Sequence, residues 1–203
     1  MANVNKPTGL SPVQYLNGSP WNGAARTYSV AYNYNTAIYI GDPVILSGTA
    51  DTNGVAGVTL ATAGTGNPVL GVVVGVGRYE SLMANPNNLS ITYFPATGDG
   101  VNSPWYVMVA DDPNIIFAAQ DTGTGTALAA TDIASNINLK SGAGNGFVSG
   151  WGIDDASTGA GATFQCKLMG LVRSQDNAFG QYAKFLVKLN NHAYGTGTGQ
   201  AGF

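Results

Sequence analysis

Residues 105–120, WYVMVADDPNIIFAAQ, hold two short apolar runs rich in β-branched and aromatic side chains, hinged on Asp111-Asp112-Pro113. Proline removes a backbone donor and Asp-Pro favours a turn, so the segment reads as strand, turn, strand. The same grammar recurs along the chain. In TAIYIGDPVIL (36–46), Gly41-Asp42-Pro43 separates two β-branched runs. VTLAT (58–62), NPVLGVVVGVGRYE (67–80), ATFQCKLMGLVR (162–173) and KFLVKLN (184–190) each suit a strand, and Leu89, Ile91 and Tyr93 alternate with Ser90 and Thr92. Glycines 71, 75 and 77 inside one of these runs point to bending or close backbone approach rather than to a helix. The one helical candidate is TALAATDIASNINL (126–139), where a threonine cap precedes Leu128, Ile133 and Ile137. The expectation is an all-β fold, a single β-barrel or jelly-roll-like β-sandwich over residues 26–190, with one short helix near 126–139.

Charge narrows this further. Only 9% of the 203 residues are Asp, Glu, Lys or Arg, against roughly 25% in average soluble proteins, and Glu80 is the only glutamate. Twenty-nine glycines, with Asn, Thr and Ser, supply the polarity and disfavour a helical bundle. A surface of small neutral groups desolvates more easily than a charged one, which suits a protein covered by neighbours. With eight Lys plus Arg, a net charge of −3 and no basic run, nucleic acid is not an expected partner. No apolar run approaches the ~20 residues that span a bilayer, and the N-terminus lacks a signal-peptide pattern, so the expectation is synthesis in a cytoplasm without membrane insertion. Cys166 is the only cysteine, so no disulfide forms within the chain.

The chemistry-bearing patterns are weak. Gly197-x-Gly199-x-x-Gly202 has dinucleotide-loop spacing, but the helix that would hold pyrophosphate does not follow it. Strand alternation puts Cys166 with Phe164, Leu168 and Val172 on an apolar face, away from any use with His192, which sits in a polar NNH stretch and reads as a surface contact. The pairs Asp111-Asp112 and Asp154-Asp155 point to opposite sides of an extended chain and read as turn residues. No catalytic, metal or cofactor site and no small-molecule substrate is expected. Trp21, Trp105 and Trp151 leave a carbohydrate-binding β-module as one alternative.

The N-terminal stretch NKPTGLSPVQYLNGSPWNGAARTYSV (5–30) carries Pro7, Pro12 and Pro20 among Leu10, Val13, Tyr15, Leu16 and Trp21. It is too broken for an element of its own and too apolar for a solvated leader. Residues 1–25 therefore read as an extended arm ordered on a neighbouring subunit, and 191–203 as an extended Gly/Thr tail. The partner-contact candidates are Leu10, Val13, Tyr15, Leu16, Trp21, His192 and Tyr194. Open sheet edges, with little charge to protect them, are expected to be covered by subunit contact.

In order, GDPVILSG, PVLGVVVGV, WYVMVADDPNIIF, ALAATDIASN, ATFQCKLMGLVRSQDNAFGQYAKFLVKLNNH and the Gly-Thr tail resemble the head decoration, or cement, proteins of tailed bacteriophages. The resemblance covers most of the chain and is weakest over 81–103. It implies a non-enzymatic virion structural protein on the outer surface of the expanded head. Its partner would be the major capsid protein, whose neighbouring copies it clamps, and it would itself be a homo-oligomer, a dimer or trimer. A tail, neck or fibre component is the other virion alternative.

Overall fold

A computed structural model of the chain describes residues 3–78, 91–96, 105–195, 199 and 202. The expected residues 89 and 90, and glycine 197, lie outside that set. The fold is all-β: among the described residues the only helical piece is a single 3-10 turn, Ala130–Asp132.

Two five-stranded arrangements carry it. The first is an antiparallel sheet in the order β1 (Ser11–Tyr15), β9 (Ile115–Gln120), β14 (Lys184–Leu189), β13 (Cys166–Leu171), β10 (Asn136–Ile137). The second runs β2 (Arg26–Val30), β5 (Ala56–Leu60), β4 (Pro43–Ala50), β6 (Gly71–Arg78), β8 (Trp105–Ala110) and back to β2. β8 returns to β2 by antiparallel pairing from Arg26–Val109 to Val30–Trp105, but the link between β2 and β5 rests on one parallel pair, Ser29 with Gly57. The second sheet is thus ring-like rather than a full barrel, and the molecule is sandwich-like. Short pairs flank these sheets: β3 (Ile38–Tyr39) with β7 (Tyr93–Phe94), and β11 (Leu139–Lys140) with β12 (Gly152–Ile153).

The sequence periodicities explain which faces are buried. In β9 and β14, alternate residues Ile115, Phe117, Ala119, Phe185, Val187 and Leu189 enter a large core that also takes Cys166, Leu168 and Trp151. The run Val69-Leu70-Gly71-Val72-Val73 is apolar without alternation because both of its faces are covered. Val69 and Val72 join that large core, whereas Leu70 and Val73 join a second core with Val44, Val58, Phe94, Trp105 and Val107. Gly71 lies where β6 meets β8, and a Cβ there would collide with the Ala110 carbonyl.

The N-terminal segment is not a free arm. Leu10 is 1% exposed and belongs to the large core, and β1 pairs with β9 from Ser11–Ala118 to Tyr15–Ile115. The chain reaches that position by a close crossing. Gly9 and Gly41, at φ 72° and 94°, lie backbone to backbone, with Leu10 N–H donating to the Gly41 carbonyl at 2.9 Å. Side chains fasten what precedes it. The Gln120 amide donates to the Val4 carbonyl and accepts from Lys6 N–H, and the Asn3 amide donates to the carbonyls of Ala178 and Gln181. A five-residue strand with a proline cannot stand alone, but it adds readily to a sheet that already exists.

The two edges of the first sheet, β1 and β10, are also covered by other segments of the chain. Beyond β1 the chain returns, with Tyr15 N–H donating to Ser19 O and Trp21 N–H to Val13 O. Beyond β10, Asn136 and Gly159 exchange backbone hydrogen bonds of 2.8 and 2.9 Å. The C-terminal segment folds back where it is described: His192 bridges Val69, and Gly202 N–H donates to Ala160 O.

The helix expected over 126–139 is replaced by the 3-10 turn and then by β10 and β11. Ala134 has φ 74°, which turns the chain out of helical space, and its N–H donates to Leu168 O. Thr, Asp, Ser, Asn and Ile are indifferent helix formers, so pairing of Asn136 and Ile137 with Lys167 and Cys166 wins. Leu128 and Ile137 are still buried, in the same core.

Because β1 is part of the sheet, Leu10→Ala is expected to destabilise the protein by about 2–5 kcal/mol in urea unfolding. Deleting residues 1–22 should leave a protease-sensitive chain; a truncated protein with the full chain's midpoint would restore the free-arm reading.

Candidate functional site

The seven contact candidates separate into three environments. Leu10 and His192 are buried, so neither is available to a partner. Tyr15 and Trp21 are half-buried against the large core, with Tyr15 Oη donating to Asn22 Oδ1 at 2.9 Å and Trp21 Nε1 to the Ala24 carbonyl at 3.2 Å. Val13, Leu16 and Tyr194 are exposed. Val13 and Leu16 sit together on β1 and the turn after it, and only they remain from the arm as water-facing apolar groups of that set.

The C-terminal candidates belong to a polar cluster. Tyr28 Oη donates to Asp111 Oδ2 at 2.6 Å and lies 3.2 Å from Tyr194 Oη. The Arg26 guanidinium sits 5.9 Å from the Tyr194 ring centroid, with Nε 3.5 Å from Asp111 Oδ2. His192 Nδ1 accepts from Tyr194 N–H at 3.0 Å, which places the neutral ring's proton on Nε2. Nε2 has no partner at bonding distance and faces the Asp111 backbone; burial holds the imidazole below its ordinary pKa. His192 is a wall of this cluster, not a surface contact, because β-bridge formation with Val69 draws the polar NNH stretch inward.

The most exposed aromatic among the described residues was not singled out from the sequence. Phe147, 66% exposed, rises from the glycine-rich connector beside Ile40, whose backbone bridges Val148. The neighbouring Tyr39 and Tyr93 rings stack at 4.9 Å, and Gly144 packs flat against Tyr39. Val4, Tyr32, Met108, Met169 and Phe179 are further exposed apolar side chains. Nothing local in FVSG distinguishes an outward Phe147 from a core residue.

Sequence reading also did not anticipate the burial of Asp42, Asp121 and Asp155. Asp42 accepts from Tyr39 N–H at 2.8 Å, and burial pushes its carboxyl up to about 6, against the lowering effect of that bond and of Ser149. Asp121 and Asp155 face each other without exposure to water. Asp121 accepts from Gly123 and Tyr182 N–H, and Asp155 Oδ1 from Thr124 and Gly125 N–H. Burial first, and the adjacent Asp155 carboxyl next, raise Asp121 to about 6. A proton held between the two carboxyls would satisfy Asp155 Oδ2, which otherwise has no partner. The Cys166 thiol, also buried, is pushed up to about 12 and is inert at neutral pH.

Trp105 and Trp151 are buried in the two cores and line no groove. Among the described residues no group of three or more His, Cys, Asp or Glu side chains is placed to hold a metal ion. Searches against protein-family models, curated proteins and solved structures return no match to this chain.

Asp42 and Asp121 fix a pH dependence. The folded pKa values of these two lie above the unfolded ones, so the stabilisation is present at low pH and is lost as pH rises from about 4 through about 6. For Asp42 it amounts to up to about 3 kcal/mol. Asp42→Asn should flatten the urea-midpoint profile between pH 4 and 6; an unchanged slope would show that Asp42 does not titrate there.

Proposed function

We propose that this chain is a non-enzymatic head decoration, or cement, protein that binds the outer surface of an expanded phage head and bridges neighbouring copies of the major capsid protein. The observation that carries the reading is the exposed apolar set, Phe147, Val4, Val13, Leu16, Phe179 and Tyr194, on a surface with little charge to keep it apart from a partner. The sequence resemblance supports the same reading. Adhesion works here through side chains on a finished fold, since both edges of the β1–β10 sheet are already covered within the chain.

Magnitudes favour an assembled lattice over a single partner. Covering four or five such side chains removes on the order of 300–500 Å² of apolar surface, worth roughly 10 kcal/mol before the rigid-body cost of roughly 4–15 kcal/mol. One contact is marginal. Several contacts on adjacent copies, held by one chain or by a dimer or trimer of it, raise the effective concentration and give firm attachment.

Co-sedimentation with expanded heads and with free capsid subunits tests this. Strong binding to heads and weak binding to subunits is expected, and Phe147→Asp together with Leu16→Asp should abolish head binding without shifting the urea midpoint. Equal binding of the double variant, or labelling of the tail in electron micrographs, would reject the head-shell reading.

A further inference from the structure

The sequence holds four Asn-Gly dipeptides, at Asn17, Asn22, Asn53 and Asn145. The following glycines all have positive φ, and all four asparagines are exposed in turns. Asn-Gly is the pair in which a backbone nitrogen most easily reaches the side-chain carbonyl of the preceding residue, because glycine puts no Cβ in the way. The reaction needs three things: a glycine N–H not engaged elsewhere, a stabilised Oδ1 as negative charge develops on it, and a carboxamide nitrogen free to leave.

The four turns differ on these points. At Asn145, Oδ1 accepts from Phe147 N–H at 3.1 Å and Val148 N–H at 3.0 Å. At Asn22, Oδ1 accepts from Ala24 N–H at 3.0 Å and Tyr15 O–H at 2.9 Å. Two donors aimed at one carbonyl oxygen are the arrangement that stabilises an oxyanion. In both turns the glycine N–H and the carboxamide nitrogen make no hydrogen bond among the described residues. At Asn17, Oδ1 also has two donors, from Ser19, but Gly18 N–H is committed to the Tyr15 carbonyl at 2.9 Å. At Asn53 everything is reversed. Gly54 N–H donates to the Asp51 carbonyl at 3.1 Å, the carboxamide nitrogen donates to Tyr106 Oη at 3.3 Å and Asp51 Oδ2 at 3.5 Å, and Oδ1 accepts nothing.

We propose that Asn22-Gly23 and Asn145-Gly146 are built-in self-modification sites that convert to isoaspartate and aspartate in the folded protein, while the turns at Asn17 and Asn53 protect theirs. The glycine nitrogen attacks Cγ and loses its proton to solvent base. The new N–Cγ bond closes a succinimide as the carboxamide nitrogen leaves as ammonia. Water then opens either imide carbonyl, giving aspartate or isoaspartate, so each event consumes one water and releases one ammonia. Each adds one negative charge to a chain whose formal net charge is −3. At Asn145 that charge appears beside Phe147; at Asn22 it appears beside the half-buried Trp21.

The test is peptide mapping by mass spectrometry, with isoaspartate detection, after incubating the intact protein at mildly alkaline pH with and without urea. In the folded protein Asn22 and Asn145 should convert at least about tenfold faster than Asn17 and Asn53, a modest share of what an oxyanion donor contributes elsewhere. Urea should bring the four rates together. Tyr15→Phe should slow Asn22 and leave Asn145 unchanged. Equal rates at all four sites in the folded protein, faster conversion at Asn53, or conversion seen only in urea would overturn the proposal.

Discussion

The side chain of Gln165 is fully buried and makes all four hydrogen bonds of which a carboxamide is capable. Its Oε1 accepts from Gly64 N–H at 2.8 Å and Leu139 N–H at 3.2 Å, and its Nε2 donates to the carbonyls of Thr62 at 2.9 Å and Asn67 at 3.1 Å. Residues 62–67 connect β5 to β6 in the ring-like sheet, whereas Gln165 enters β13 of the other sheet. One neutral side chain thereby joins the two. It also answers the difficulty of a fold with much irregular chain. Backbone groups taken out of water need partners, and where the ladder does not supply them a side chain must.

The same device recurs and explains the composition. Gln120 holds the N-terminal segment and Tyr182, Asn177 holds the carbonyls of Val172 and Lys184 together, and Asn190 reaches the carbonyls of Ala162 and Phe164. A carboxamide offers donors and acceptors without the desolvation cost of a charge. A chain that fixes its loops this way can leave its surface nearly uncharged and its apolar side chains in water.

Local features were legible in the sequence and distant pairings were not. The turns at Gly41-Asp42-Pro43 and Asp111-Asp112-Pro113 and the strands around them follow from proline and β-branching within a few residues. The core position of Cys166 follows from alternation in the same way. Residues 11–15 gave no such signal, because their partner β9 lies about a hundred positions away and supplies most of what makes them a strand. Leu128, Ile133 and Ile137 fit a helical stripe, yet the burial that spacing implied was achieved through a turn and a two-residue strand. The exposure of Phe147 and the burial of His192 and Asp121 depend on which segments close over them, and no local pattern records that.

The claim that buried carboxamides hold the two sheets together is tested most directly by Gln165→Leu, which keeps much of the volume and removes all four hydrogen bonds. Urea unfolding combined with native-state hydrogen exchange reads both the total effect and its location. A loss of at least about 3 kcal/mol is expected, with the Gly64 and Leu139 amides losing their protection first. A variant within about 0.5 kcal/mol of the parent, with those two amides still protected, would contradict the account.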